Sequence, residues 1–248
     1  MTAALRSELL KQRSTTTNLG LFVTMIGLVL LAELLHGFGL PARDLTTAAR
    51  QLNILEPGAI IGTLLAALLG AMSITGEFRH GTIRPTLLVS PHRGRVLAAK
   101  VWASMLAGAA FGLTAGLVAL AVSVAALRVR GITVHLSARD YLLPPLGGAV
   151  AAALWAAIGV GARALVRNQV PTLIGLCAWL LFVENLVLGD LARLGVGRFL
   201  PGHAALAITG QQPETQLLAP WIAIILLAAY TAIAIAAGWI QTNRRDVA

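Results

Sequence analysis

Charge is scarce in this sequence. Asp, Glu, Lys and Arg make up only 12% of its 248 residues, whereas an ordinary soluble domain has about 25%. Hydrophobic residues reach 57%, and the mean hydropathy is +0.81. Cys177 is the single cysteine, which excludes a disulfide framework and a cysteine-based metal cluster. We expect that side chain to act as a small buried hydrophobe. The composition favours an integral membrane protein with no second, soluble domain.

Motifs of catalysis and of nucleotide binding are also missing. The sequence contains no G-x-x-x-x-G-K-[ST] phosphate loop, no H-E-x-x-H zinc motif and no G-x-S-x-G nucleophile elbow. Its histidines form no close pair and lie at His36, His80, His92, His135 and His203. We therefore expect neither a catalytic residue nor a metal site, and no cofactor bound by this chain. A chain without a phosphate loop binds no ATP or Mg²⁺ through that motif, so either would have to be handled by another polypeptide.

Six apolar runs are long enough to be membrane spans, because about 20 helical residues cross a hydrocarbon core of about 30 Å. They cover residues 19–35, 58–75, 96–127, 142–162, 170–188 and 217–240. Lipid does not tolerate irregular exposed backbone, so each run should be helical. The third is long enough to tilt strongly or to project beyond the lipid. The predicted fold is all-α, with residues 1–248 forming one transmembrane domain.

The charges between these runs fall unevenly on the two sides of the membrane. The N-terminus, the connections 76–95 and 162–169, the start of the third run and the C-terminal tail hold twelve basic and three acidic residues. The remaining segments hold seven of each. Cytoplasmic loops carry the excess of Lys and Arg, so both termini are predicted to be cytoplasmic. The first run lacks a clean small-residue cleavage site, which favours a retained helix over a signal peptide.

The N-terminal segment has the pattern of a helix that lies in the membrane interface. Apolar side chains recur there at helical spacing, and charged side chains fill the rest of the surface: Leu5, Leu9 and Leu10 against Arg6, Glu8, Lys11 and Arg13. The alternative is a charged flank that only sets the orientation of the first span.

The connection 76–95 contains a predicted short helix over residues 83–90. Thr82 can cap it, Pro85 is tolerated in its first turn, and Pro91 disfavours its continuation. Ile83 and Leu87, with Leu88 beside them, give it an apolar side that can lie on headgroups or fill a groove on a partner protein. The alternative is an ordinary basic loop that obeys the orientation rule.

This stretch, "GEFRHGTIRPTLLVSPHRGRVLAAK", resembles the cytoplasmic loop after the second span of ABC-2 type ABC transporter permeases. The matching positions are Glu77, Phe78, Arg79, Gly81, Thr82, Arg84, Arg93 and Lys100. "SELLKQRSTTTNLG" is similar to the interfacial elbow helix of that family. "FLPGHAALAITG" is similar to the outer segment before its sixth span, and by this resemblance residues 189–216 form paired outer helices. Composition alone is equally compatible with an ordinary outer loop there.

The resemblance implies the transmembrane subunit of an ATP-driven exporter in the bacterial inner membrane. Two such permeases, identical or related, pair with two ATP-binding subunits and with no nucleic acid. The exported substrate is a drug, peptide, lipid or glycan that the sequence does not identify. The residues that would couple to the ATPase are Glu77, Phe78, Arg79, His80, Gly81, Thr82, Ile83, Arg84, Leu87 and Leu88.

Two acids, Glu33 and Glu184, fall inside apolar runs, and Asn185 adjoins the second. Ionisable groups in a span are candidates for a translocation path. The alternatives are snorkelling near the outer interface or a proton-carrying carboxyl group hydrogen-bonded within the bundle. The same two acids permit a rival function, that of an ion- or proton-coupled secondary carrier. A membrane immunity or assembly factor that transports nothing is a further rival.

Glycine recurs every fourth residue in the third run, at Gly108, Gly112 and Gly116. A row of small residues lets two helix backbones approach closely. The row is predicted to pack against another helix, either within the subunit or across a dimer interface.

Overall fold

The computed structural model of the chain describes residues 2–79, 93–166, 168–187, 195–211 and 217–243. Within those ranges the regular elements are all helical, which confirms the predicted all-α class. The α-helices are α1 (Thr2–Ser14), α2 (Thr16–Gly39), α3 (Ala48–Asn53), α4 (Glu56–Arg79), α5 (Arg93–Val129), α6 (Ala138–Val166), α7 (Gln169–Ala178), α8 (Pro201–Ile208) and α9 (Pro220–Asn243). Short 3₁₀ turns cover Ala42–Leu45 and Gly197–Phe199, and a π-helical segment, Trp179–Val187, continues α7.

Five helical stretches are long and apolar enough to cross a membrane: Thr16–Gly39, Ala48–Ser73, Val96–Val129, Ala138–Val166 and Pro220–Thr242. They contain the first four predicted runs, apart from residues 74–75, and most of the sixth. Helix α5 has 37 residues, or about 55 Å at 1.5 Å per residue, which exceeds the hydrocarbon thickness. The chain is a multi-pass α-helical membrane protein.

The fifth predicted run, 170–188, differs from the others. Its apolar helical part, Gln169–Glu184, is shorter than the five spans, and the helix changes from α to π at Trp179. A π-helix bonds residue i to residue i+5, so side chains five apart come into line. Trp179 and Glu184 are five apart, and the indole Nε1 donates a hydrogen bond to the Glu184 carboxylate. The π-helical turns therefore bring the Trp179 and Glu184 side chains into line for this hydrogen bond.

Small residues hold the centre of the bundle, where α4, α5 and α6 meet. A Cβ atom at Gly108 would lie 2.7 Å from the Ala152 carbonyl oxygen of α6, and one at Gly116 would lie 2.6 Å from the Pro145 Cα. At Gly112 it would collide with the Gly148 carbonyl group. The glycine row of α5 thus faces α6 of the same chain. That face is occupied within the subunit, which leaves no room for the same glycines to meet a second copy.

The two ends of the bundle are easily told apart. The end that carries the N-terminal helix, here called the proximal end, joins α1 to the end of α4 and the start of α5, and Gly94 lies beside Trp239 of α9. The opposite, distal end contains α3, the segment 131–137 and α8. There the buried Gln51 side chain donates to the Leu45 and Thr133 carbonyl oxygens and accepts from the His135 backbone N–H.

Candidate functional site

The first candidate site is a buried ion pair at the proximal end. Lys100 in the second turn of α5 lies with its Nζ 2.9 Å from Glu8 Oε2 of α1, and the two side chains are 6% and 9% exposed. The same Nζ donates to the Ser73 carbonyl oxygen of α4 at 3.5 Å. Lys11 contacts the other Glu8 oxygen at 2.8 Å. Three helices therefore meet at one carboxylate–ammonium contact.

This contact corrects the expected orientation of α1. Glu8 was expected on the polar, exposed surface of an interfacial helix, but it is buried, and Leu10 of the predicted apolar side is 61% exposed. Polar contacts to α5 determine which face turns inward: Glu8 binds Lys100, and Gln12 Nε2 donates to Ser104 Oγ at 3.4 Å. Asn18 secures the start of α2 by donating to Gln12. Helix α1 is thus attached to the bundle by polar groups.

The contact of Glu8, Lys100 and Ser73, here called the proximal junction, lies at the two helix ends that flank the loop with the ABC-2-like motif. Glu77, Phe78 and Arg79 were expected in the connection, but their backbone forms the last turn of α4, and their side chains lie outside the described residues. The other predicted coupling residues also lie outside the described residues: His80, Gly81, Thr82, Ile83, Arg84, Leu87 and Leu88. Helix α5 then begins at Arg93. Ser73 and Lys100, on either side of the loop, are in contact with each other.

Glu33, the first acid within a span, is fully buried near the distal end of α2. Its Oε1 accepts from the Gly58 backbone N–H at 3.1 Å, and its Oε2 accepts from Ser123 Oγ at 2.8 Å. Gly58 lies in the first turn of α4, where backbone N–H groups lack partners within the helix. A carboxylate is favourable there because the helix dipole is positive at its N-terminus. Glu33 therefore caps α4 and ties it to α2 and α5.

Glu184 does the same for α8. It is 2% exposed and accepts from the backbone N–H groups of Gly202 at 2.9 Å and His203 at 3.2 Å. Pro201 occupies the first position of α8, where it needs no N–H partner. The His203 ring Nδ1 also lies 3.4 Å from Glu184 Oε2. Both acids thus accept hydrogen bonds from backbone N–H groups at helix N-termini. The side chain of Asn185 lies outside the described residues.

Helix α8 is packed among the long helices. Ala204 and Ile208 are buried, and Gly147 of α6 packs directly on the Ile208 carbonyl group. Tyr230 Oη donates to the Phe199 carbonyl oxygen at 3.1 Å, although Tyr230 is ten residues into α9. That depth corresponds to about 15 Å of helix. Helix α8, the second of the two predicted outer helices, therefore packs within the bundle. The first, at residues 191–194, lies outside the described residues.

Cavities near these acids are small. One of about 30 Å³ lies beside Glu184 and His203 against Thr63 of α4, which is room for about one water molecule. Another, of about 10 Å³, lies between α4, α5 and α6 and is lined by Gly112, Gly148 and Gln211. Across the described ranges, no group of three or more His, Cys, Asp or Glu side chains is arranged to hold a metal ion.

The contacts of three structurally important residues could not be predicted from the sequence. Lys100 looked like a basic flank, and its partner Glu8 is 92 positions away. Gln51 is an ordinary polar residue in sequence, yet it is fully buried. Arg130 looked like a loop charge, but its guanidinium donates to the Gly37 and Leu40 carbonyl oxygens at the C-terminus of α2. Cations are favourable at that end of a helix.

No protein-family model matches the sequence, and no curated protein does so either. The resemblance to ABC-2 permeases therefore rests on the sequence motifs and the pattern of apolar runs alone.

Proposed function

We propose that this chain is the transmembrane subunit of an ATP-driven exporter of the ABC-2 type. The observation that carries the proposal is the loop motif from Glu77 to Lys100 together with its position, between two long helices whose ends are joined at the proximal junction. A displacement of this loop by a partner protein would be transmitted to both flanking helices and so to the bundle. The absence of a phosphate loop from the sequence supports a separate ATP-binding subunit.

The proposed membrane arrangement has six crossings, with the helix from Gln169 to Val187 as the fifth. Helix α1 is the elbow, residues 83–90 form the coupling helix, and α8 belongs to the outer pair. The excess of basic residues on the proximal segments supports a cytoplasmic location for both termini in a bacterial inner membrane. Two copies, or this chain and a related permease, would assemble with two ATPase subunits.

In the proposed mechanism, ATP binding closes the two ATPase subunits, and residues 83–90 move with them. The displacement enters the bundle through the ends of α4 and α5. Lys100 contacts both α4 and α1, so α1 moves with them. The distal helix α8, attached to Glu184, would open or close the exit. The ATPase supplies the free energy, and the permease contributes a bundle with two arrangements.

Co-purification tests the proposal. The tagged chain, extracted from its host in mild detergent, should bring down an ATP-binding protein. Glu77→Ala with Leu87→Asp should abolish that association and leave membrane insertion normal. Val129→Asp is the matched control, because Val129 is 77% exposed at the distal end of α5. Intact association in the double variant would remove the assigned role of the loop. Transport without any ATPase, but abolished by Glu33→Gln, would instead identify a secondary carrier.

Orientation requires its own test. In a Cys177→Ala background, single cysteines at Ser14 and Arg139 place exposed thiols at the proximal and distal ends respectively. A membrane-impermeant maleimide applied to intact cells should label the distal cysteine, and should label the proximal one only after permeabilisation. The reverse pattern would show that the loop faces outward, where no cytoplasmic ATPase can reach it.

A further inference from the structure

A lateral groove at the proximal end has the features of a lipid site. It lies between α1, α2 and α5, has a volume of about 380 Å³ and opens to the surroundings of the bundle. Binding pockets of drug-sized ligands begin at about 300 Å³. Phe22 and Phe111 lie in its wall as an edge-to-face pair with ring centroids 5.1 Å apart. Leu19 and Leu106 line it and are more than half exposed.

The polar residues that line this groove, Gln12, Arg13 and Asn18, lie on α1 and on the first turn of α2. Gln12 and Asn18 are already engaged, since Asn18 Nδ2 donates to both the side-chain and backbone oxygens of Gln12, and Gln12 donates to Ser104. Arg13 is exposed, and its guanidinium makes no hydrogen bond or ion pair with any described residue. The groove thus combines an apolar wall with one uncommitted cation at its polar edge.

The charge around the groove favours an anionic occupant. Arg6 and Lys11 line an adjoining hollow on α1 and are both exposed. The single acid in α1 is Glu8, which is buried against Lys100 and Lys11. Because the Glu8–Lys100 pair holds α1 in place, the groove exists before a ligand arrives. A guanidinium is always charged and can bind phosphate through two parallel hydrogen bonds.

We propose that this groove binds one anionic phospholipid of the leaflet at the proximal end. An acyl chain lies along Phe22, Leu106 and Phe111, and the headgroup phosphate binds Arg13, with Arg6 and Lys11 adding attraction for a net negative headgroup. The proposal needs the chain to be in a membrane, but it does not need an ATPase. If the lipid site is absent, the proposed exporter function can still be tested, and the lipid site can be tested if the exporter function fails.

Native mass spectrometry of the full chain, delipidated in detergent, tests the site. The protein is titrated separately with phosphatidylglycerol and phosphatidylcholine, and the lipid-bound species are counted. We expect one tightly retained phosphatidylglycerol. A basic residue near an anionic membrane surface contributes about 1 kcal/mol, so Arg13→Gln should weaken retention about fivefold. Arg139→Gln, which removes an exposed charge at the distal end, should leave retention unchanged.

A second variant separates the groove from surface charge. Ala110 is exposed and lines the groove, so Ala110→Trp should fill it without disturbing buried contacts or Arg13. Loss of phosphatidylglycerol in this variant, with an unchanged melting temperature, supports the groove. Equal retention of the two lipids, an Arg13→Gln variant that binds like the wild type, unaltered binding to Ala110→Trp, or full displacement by inorganic phosphate would each overturn the proposal.

Discussion

The buried pair of Glu8 and Lys100 makes a quantitative prediction. Removing one partner of a buried ion pair leaves an uncompensated charge and costs about 3–5 kcal/mol. In Lys100→Met, however, Glu8 keeps its contact with Lys11 at 2.8 Å, and the Lys11 side chain is 46% exposed. A pair exposed to that degree contributes at most about 1 kcal/mol, so the loss should lie near 3 kcal/mol.

Thermal denaturation in detergent, followed by intrinsic tryptophan fluorescence, measures this loss. For a chain of this size, 1 kcal/mol corresponds to about 2–4 °C, so Lys100→Met should melt about 6–12 °C lower. Arg50→Met is the matched control, because Arg50 and Asp44 form a 3.4 Å pair whose side chains are 59% and 44% exposed. Its melting temperature should change by no more than about 4 °C.

The double variant Glu8→Leu with Lys100→Met completes the cycle. Replacing both charges with apolar groups removes the unpaired charge, and such replacements are often close to neutral. We expect the double variant to recover at least half of the stability lost by the less stable single variant. If Lys100→Met melts like Arg50→Met, or if the two single losses simply add in the double variant, the pair is not coupled and the three-helix junction is wrongly described.

Three further substitutions test the rest of the bundle in the same melting assay. Gly112→Ala places a Cβ atom on a backbone carbonyl of α6 and should cost about 1–3 kcal/mol, whereas Gly27→Ala, with nothing within 4 Å, should be neutral or slightly stabilising; equal shifts would contradict the packing. Glu184→Ala should cost more than Glu184→Gln, because glutamine keeps one acceptor for the α8 amides, and equal losses would argue against the cap. Gln51→Leu removes the partner of three backbone groups, of which the Leu45 carbonyl is buried, and should cost about 1–3 kcal/mol; an unchanged melting temperature would argue against the distal link.

The long helices were predictable because lipid imposes a simple requirement. A segment that crosses the hydrocarbon must bond its own backbone and carry few charges, and both conditions are visible in one short stretch of sequence. The structure therefore places spans close to five of the six predicted runs. The fifth run departs from regular α-helix because Trp179 and Glu184 come into line to meet α8, a helix that follows only at Pro201. Periodicity within a run contains no information about that contact.

The orientation of α1 shows the same limit. A pattern of Leu and charged residues describes one helix in isolation, and it placed Glu8 on the exposed surface. The actual orientation depends on Lys100, at the start of another helix, and on Ser104 one turn further along. In the sequence alone, Lys100 is one of several basic residues near the start of the third predicted span. Only the packed bundle shows that Lys100 binds Glu8, an acid from the first fourteen residues.

The buried acids of the described helices share one physical arrangement. Glu8, Glu33 and Glu184 each bind a group on an element 18 or more residues away in sequence, so each carboxylate fixes the relative position of two elements. In an apolar bundle these are the strongest directional contacts, since van der Waals packing of small residues restricts sliding much less. Glu33 and Glu184 secure α4 and α8 near the distal end, while Glu8 at the proximal end joins α1 to Lys100 of α5, which also contacts α4. Helix α4 takes part at both ends, through the Gly58 N–H group and the Ser73 carbonyl oxygen, so these contacts fix its position before and after its apolar middle.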